Sequence, residues 1–362
     1  MRVALLAPAN SIHTVRWVNG LVARGLEVHL ISAHHAEAGA IDPSVRVHQL
    51  NLSAPAAYLL SSGQVAACLK QIGADLLNAH YASGYGLLAR MTRFRPMLLS
   101  VWGSDVYEFP RTSPLHRWLI RGNLRSATAI ASTSECMARK VTELFSHPHL
   151  FVTPFGVDES IFVPGRDAPQ KGQIVIGTVK TLARKYGVDV LIDAFALVVR
   201  QMGQATRLRL EITGSGPEEH NLKRQVERLG LVDLVAFNAS VPHESVPRML
   251  RRLDIFVALS RDSESFGVAA VEAAACEKPI VVSNAEGFVE VIRHNETGLI
   301  VPRNDALAAS GALARLLKDE ELRSTLGRNA RAHVLKHYTW DISLDRMIDA
   351  YSRTVSGRFH SC

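Results

Sequence analysis

Cysteine is scarce in this chain. Four residues, Cys68, Cys136, Cys276 and Cys362, are scattered over 362 positions with neither disulfide nor metal-site spacing. That excludes a disulfide framework and a cysteine-built metal centre. The four read as packing residues, with Cys362 a free tail thiol, in a cytosolic protein. Long apolar runs are absent too: none reaches transmembrane length, and Met1–Pro8 is too short for a signal peptide. It reads instead as a first buried strand. Aromatics make up only 6% and do not interleave with basic residues, so the formal charge of +7 does not describe a nucleic-acid binder. Residues 1–165 hold 14 Lys+Arg and 10 Asp+Glu, which is +4 of that total. So diffuse an excess suits anionic phosphosugars or an anionic membrane surface. There is no solenoid repeat, no low-complexity segment and no Asp-x-Asp-like metal pair, and no metal or cofactor is expected.

What the chain does have is alternation. At 47% hydrophobic, 362 residues can fill two cores. Short apolar strands at Val3–Ala7, Glu27–Ser32, Leu76–His80, Met97–Trp102, Ala129–Thr133 and Leu150–Thr153 are separated by amphipathic helices, the first about Thr14–Arg24. Pro154–Gly172, rich in Pro, Gly and charge, reads as a linker. A second series follows at Ile174–Val179, Leu208–Thr213, Leu234–Phe237, Ile255–Leu259, Ile280–Ser283 and Leu299–Val301, with helices at Val188–Val199 and Glu218–Leu229 and a last one over about Asp341–Ser356. This pattern predicts two α/β domains with doubly wound parallel sheets, in which ligands bind beyond the carboxyl ends of the strands.

The densest chemistry is in Glu264-Ser265-Phe266-Gly267-Val268, followed by Glu272 in an Ala-rich helix stopped by Lys278-Pro279. Two readings are open. One is an amphipathic helix with two solvated glutamates. In the other, Gly267 lets a diphosphate approach the helix N-terminus, where free N–H groups and the dipole favour an anion. Glu264 and Glu272 then bind sugar and ribose hydroxyls on either side of it. Lys180 and Lys185, after the strand ending at Val179, are either solvated or reach the same diphosphate from the opposite side. Gly214 in Gly214-Ser-Gly-Pro217 is a tight turn or a nucleotide contact, and Val241 fits a core position.

Residues Glu264–Pro302 resemble the donor-site signature of the family 4 retaining glycosyltransferases. The matching pieces are Glu264-Ser-Phe-Gly267, Glu272-Ala-Ala-Ala-Cys-Glu-Lys-Pro279, Glu286-Gly-Phe-Val-Glu290 and Asn295-Glu-Thr-Gly298-Leu-Ile-Val-Pro302. Pro154-Phe-Gly156-Val-Asp158 and Gly177-Thr-Val-Lys180 match upstream, and the likeness runs over roughly residues 1–345, looser in the first half. It implies the GT-B fold, two Rossmann-like domains facing across a cleft. Residues 1–163 then bind acceptor, 164–340 bind nucleotide sugar, and a helix within 341–362 packs back on the first domain. It implies Lys180, Lys185 and Glu264 as catalytic residues, with Gly103, Gly214, Ser265, Phe266, Gly267, Val268, Glu272 and Val241 around the donor. The family usually has Arg where Lys180 stands, and Gly where Glu286 stands; Glu290 reads as structural.

On the acceptor side, His13, His80, Trp102, Gly103 and Asp105 follow strands of the first series. Many relatives have His where Trp102 stands, so a stacking platform and a packing residue both remain open for it. Asp105 binds acceptor or caps the next segment. Arg111–Arg125, with Trp118, Leu119 and Ile120, suits an anionic bilayer and a lipid-linked acceptor, or is an ordinary helix with one packed and one charged face. The expected function is a retaining, metal-independent transfer from a nucleoside-diphosphate sugar to a glycan, lipid-linked or small-molecule acceptor, in cell-surface polysaccharide or glycoconjugate synthesis. The expected location is cytoplasmic, peripheral on the inner face of the membrane. The alternatives are a non-catalytic sugar-nucleotide-binding scaffold and a GT-B sugar-nucleotide epimerase.

Overall fold

The structure, a computed structural model, describes residues 1–167, 172–203 and 207–359. Cys362 and part of the expected linker lie outside them. The chain forms two compact units, Met1–Pro154 with Asp341 onward, and Phe155–Trp340.

In the first unit, β1 (Arg2–Leu6), α1 (Ile12–Ala23), β2 (Glu27–Ser32) and β3 (Arg46–Gln49) lead through α2 (Ala57–Leu60) and α3 (Ser62–Ile72) to β4 (Leu76–His80). Then come α4 (Gly84–Thr92), β5 (Met97–Val101), the short α5 (Ser104–Tyr107) and α6 (Phe109–Thr112), α7 (Pro114–Ser126), β6 (Ala129–Ser132), α8 (Glu135–Leu144) and β7 (Leu150–Val152). The seven strands are ordered β3-β2-β1-β4-β5-β6-β7 and all run parallel. Strand order reverses between β1 and β4, in the register Val3↔Leu76. The central strands are buried on both faces, which is why each reads as an unbroken apolar run.

The second unit holds β8 (Ile174–Val179), α9 (Val188–Met202), β9 (Leu208–Thr213), α10 (Glu219–Arg228), β10 (Val235–Asn238), α11 (Val246–Arg251), β11 (Ile255–Ala258), α12 (Val268–Ala275), β12 (Ile280–Ser283), α13 (Glu286–Val291), β13 (Leu299–Val301), α14 (Ala306–Lys318) and α15 (Glu320–His337). Its six strands are ordered β10-β9-β8-β11-β12-β13, again all parallel. Here the order reverses between β8 and β11. The core packs α9 and α14 on the sheet through Phe195, Leu191, Leu313 and Leu316.

The second unit begins at Phe155, nine residues before the boundary read from the sequence. Phe162 is fully buried, Val157 bridges to Thr339, and Lys278 Nζ donates to the Gly165 carbonyl at 2.7 Å. These contacts make residues 155–165 part of the second unit, although their Pro, Gly and charge suggest a linker.

The final helix, α16 (Trp340–Ser356), belongs from Asp341 onward to the first unit. Arg24 pairs with Asp341 at 2.8 Å and Asp345 at 2.7 Å. Deeper in, the fully buried Tyr351 hydroxyl donates to Asn78 Oδ1 at 2.8 Å, and Asn78 Nδ2 donates to the Leu98 carbonyl and Ser100 Oγ. His80 Nε2 lies 3.0 Å from the same Asn78 oxygen. The oxygen is an acceptor only, so His80 carries its proton on Nε2. Burial drives the His80 pKa down to about 3, helped by the nearby His13.

Two outcomes follow from this network. Tyr351→Phe strands one buried acceptor contact and is expected to lower the stability of the first unit by about 1–3 kcal/mol, read as faster hydrogen exchange of the β4 amides. His80 is neutral when folded but has an ordinary pKa when unfolded. Its contribution is therefore complete above about pH 6.5 and is lost progressively as pH falls toward about 3. A His80→Asn variant should show a shallower loss of stability over that window in urea titrations.

Candidate functional site

In the second unit the site residues emerge where strand order reverses. Lys180 leaves the carboxyl end of β8, and Glu264 lies in the loop after the neighbouring β11. Lys180 Nζ is 3.1 and 3.3 Å from the two Glu264 oxygens, and Ser260 Oγ donates to that carboxylate at 2.9 Å. Both charged side chains are largely buried, a placement that requires the partner. Lys185 lies in a 3₁₀ turn, Arg184–Tyr186. The Tyr186 ring is shared by the two lysines: Lys180 Nζ is 4.3 Å and Lys185 Nζ 5.2 Å from its centroid. The structure thus brings Lys180, Lys185 and Glu264 together, around a tyrosine that sequence reasoning passed over.

Gly267 is the N-cap of α12, with φ +91°. A Cβ there would sit 2.7 Å from the Phe288 ring, so both backbone conformation and space demand glycine. The first-turn amides of α12 start at Val268, half-buried, with Ser265 just before the cap. Phe266 is buried, its ring edge-on to Tyr338 at 5.5 Å, so only its backbone faces the loop. Glu272, the fifth residue of α12, is nearly buried and lies 2.8 Å from His243 Nε2. His243 was also missed from sequence. Its one signal was proximity to Val241, which is half-buried in the loop after β10. Gly214, with φ +146°, would drive a Cβ into the Lys180 carbonyl; the close approach it provides is to Lys180's own backbone. Glu286 pairs with Arg303 at 2.6 Å.

In the first unit, His13, His80 and Trp102 gather at the carboxyl ends of the adjacent strands β1, β4 and β5. The Trp102 indole lies 4.4 Å from the His80 ring, 4.9 Å from Tyr81 and 5.6 Å from His13, the last edge-on. Trp102 is 8% exposed and His80 fully buried, so the cluster is an aromatic wall with little free polar surface. Asp105 was expected either to bind acceptor or to cap the next segment. It is buried, and its oxygens accept from the amides of Ala82 at 2.7 Å, Gly103 at 2.8 Å and Trp102 at 3.2 Å. These contacts match the capping reading: the carboxylate fixes the loops after β4 and β5. Burial raises its pKa, against the lowering by those amides. Gly103, at φ +138°, begins the turn that Asp105 holds.

Among the described residues, no group of three or more His, Cys, Asp or Glu could hold a metal ion, and no helix is long and apolar enough to cross a membrane.

The comparisons with known proteins cover both units. Residues 164–333 match the model described as glycosyl transferases group 1, and residues 2–134 match that of glycosyl transferase 4-like proteins. The chain is 24% identical over 339 residues to N-acetyl-alpha-D-glucosaminyl L-malate synthase of Bacillus anthracis, covering 88% of this chain and 87% of that one. It is 29% identical over 250 residues to D-inositol 3-phosphate glycosyltransferase of Jonesia denitrificans, covering 64% of this chain and only 58% of the relative. Among solved structures, sucrose-phosphate synthase from Thermosynechococcus elongatus superposes with a TM-score of 0.85 at 20% identity, covering 99% and 100% of the two chains. HepE of Anabaena, in complex with UDP and glucose, superposes with a TM-score of 0.80 at 17% identity over 97% of this chain and 99% of its own. These likenesses establish the GT-B fold. With two family models laid end to end over both units, the chain belongs to the group 1 glycosyltransferases.

Proposed function

We propose that this glycosyltransferase moves a sugar, with retention of configuration and without a metal, from a nucleoside-diphosphate sugar to a glycan, lipid-linked or small-molecule acceptor. The reading places it in cell-surface polysaccharide or glycoconjugate synthesis, at the cytoplasmic face of an anionic membrane. The observation that carries it is the pair of ammonium groups flanking Tyr186, with Glu264 bonded to one of them, in the unit that also presents the N-terminus of α12. That a structural neighbour is solved with UDP and glucose supports a diphosphate donor.

In this reading the bond between the anomeric carbon and the diphosphate oxygen breaks, and its electron pair passes to the leaving diphosphate. Lys180, Lys185 and the first amides of α12 take up the growing charge. Lys180 exchanges its contact with Glu264 for one with phosphate, and Glu264, still held by Ser260, orients the donor sugar hydroxyls. The acceptor hydroxyl adds from the face the diphosphate leaves, and its proton goes to a leaving-group oxygen. Glu272, with its second partner His243 behind it, accepts from the ribose hydroxyls. Trp102 and His13 meet the acceptor.

Glu272→Ala is expected to weaken nucleoside diphosphate binding roughly 10- to 150-fold, measured by calorimetry on the folded variant. Unchanged affinity would remove the ribose assignment. Lys185→Ala is expected to cut turnover about 100-fold while leaving the melting temperature close to that of the parent, because its partner's charge is largest in the transition state. Chelator should alter neither rate. Turnover within a few-fold of the parent would make Lys185 a surface lysine. Slow donor hydrolysis without acceptor distinguishes a transferase from a binding scaffold.

A further inference from the structure

In the first unit, α4 packs against both α2 and α7. Along α7, successive residues turn by about 100°. Ile120, Asn123 and Leu124 face the core. Arg117, Arg121, Arg125, Trp118 and Leu115 fall on the opposite arc of about 160°. That arc mixes cations with bare apolar surface: Trp118 is 65% and Leu115 66% exposed. On α2, Leu59 and Leu60 are 60% and 72% exposed.

Between α4 and α7 lies a groove of about 700 Å³ lined by Arg90, Arg117, Arg121 and Arg125 with Trp118, and no carboxylate lines it. Gly122 makes room for it. A Cβ at that position would occupy the space of the Arg90 guanidinium, which lies across α7 with its centre 6.0 Å from the Trp118 ring. Among the described residues, some arginines elsewhere are ion-paired, as Arg24, Arg166, Arg252 and Arg303 are, while others such as Arg200 and Arg228 are not. The four arginines of the groove take part in no such pair.

We propose that the α2–α4–α7 face docks on an anionic lipid bilayer. The arginine groove takes lipid phosphate groups, and Trp118, Leu115, Leu59 and Leu60 enter the headgroup boundary. Charge complementarity calls for an anion. The exposed Trp and Leu beside the cations select a lipid interface over a soluble phosphate compound, which has no use for them. This deepens the membrane part of the function proposed above, naming the face and the lipid chemistry. Its test needs neither donor nor acceptor, so its failure leaves the transferase reading standing.

The test is flotation of the full chain with vesicles of phosphatidylglycerol and phosphatidylcholine, against phosphatidylcholine alone. Binding is expected only to the anionic vesicles, released by added salt, with a blue shift of emission that disappears in Trp118→Phe. The triple variant Arg117→Ser, Arg121→Ser, Arg125→Ser should lose roughly 100-fold in partition. The same three positions changed to Lys should retain most of it, which separates charge loss from misfolding. Leu115→Ser with Leu59→Ser should weaken binding without changing its salt dependence. Arg228→Ser, on α10 of the other unit, should bind like the parent. The proposal is overturned if the parent stays with the soluble fraction at low salt, if the serine triple variant floats like the parent, or if inorganic phosphate releases the protein as effectively as chloride of far higher ionic strength.

Discussion

The second unit is organised around one ion pair, Lys180 with Glu264. Two charges cannot be taken out of water singly at this depth, and each is tolerable because the other is 3.1 Å away. Their backbones are held just as closely. Gly214 lets the chain after β9 pass against the Lys180 carbonyl, and Gly287 brings α13 against Glu264, its N–H donating to the Glu264 carbonyl at 3.0 Å. Both residues leave adjacent strands at the reversal of strand order, where the helices following β8 and β11 pass to opposite faces and leave a crevice. Topology opens the space, glycine packing fixes its walls, and the ion pair supplies its charge.

The first unit repeats the topology with opposite chemistry. Its reversal lies between β1 and β4, and what gathers there is aromatic and neutral: Trp102, Tyr81, His13 and a His80 whose burial keeps it uncharged at ordinary pH. The neutral His80 tautomer is set by Asn78, whose oxygen is in turn held by Tyr351 from α16. The same hydrogen bonds that seat the last helix therefore set the state of a side chain against the aromatic wall. An edge of cations suits phosphate, and an edge of ring faces suits a sugar or another apolar-faced group.

Much of this was legible from sequence, for a definite reason. Strands buried on both faces appear as apolar runs, so Glu27–Ser32, Leu76–His80, Ile174–Val179 and Leu208–Thr213 coincide with observed strands residue for residue. β3 escaped because Arg46–Gln49 is an exposed edge with no apolar pattern. The types of the donor-site residues were readable, but their partners were not. Tyr186, His243 and Asn78 acquire their roles from contacts made by folding, and the Tyr351–Asn78 bond joins residues 273 positions apart. Asp105 shows the limit from the other side. Its place after a strand end fits an acceptor ligand and a loop cap equally, and only three amide contacts decide for the cap.

The α7 helix carries a pattern its own stability disfavours. Arg117, Arg121 and Arg125 stand at successive i, i+4 positions, and each such like-charge pair costs an isolated helix about 0.2–0.5 kcal/mol. Trp118 and Leu115 add exposed apolar area that gains nothing from folding. The helix holds because Ser113 caps it, accepting from the His116 amide at 3.3 Å, and because Ile120 and Leu124 are fully buried. No carboxylate lines its arginine groove, so neutralisation is left to solvent ions or to a partner. Solvent ions could neutralise the arginines but would leave the tryptophan and leucines in water. A surface that is both anionic and apolar a few ångströms deeper meets both needs at once, and among common biological surfaces a lipid headgroup layer has that profile.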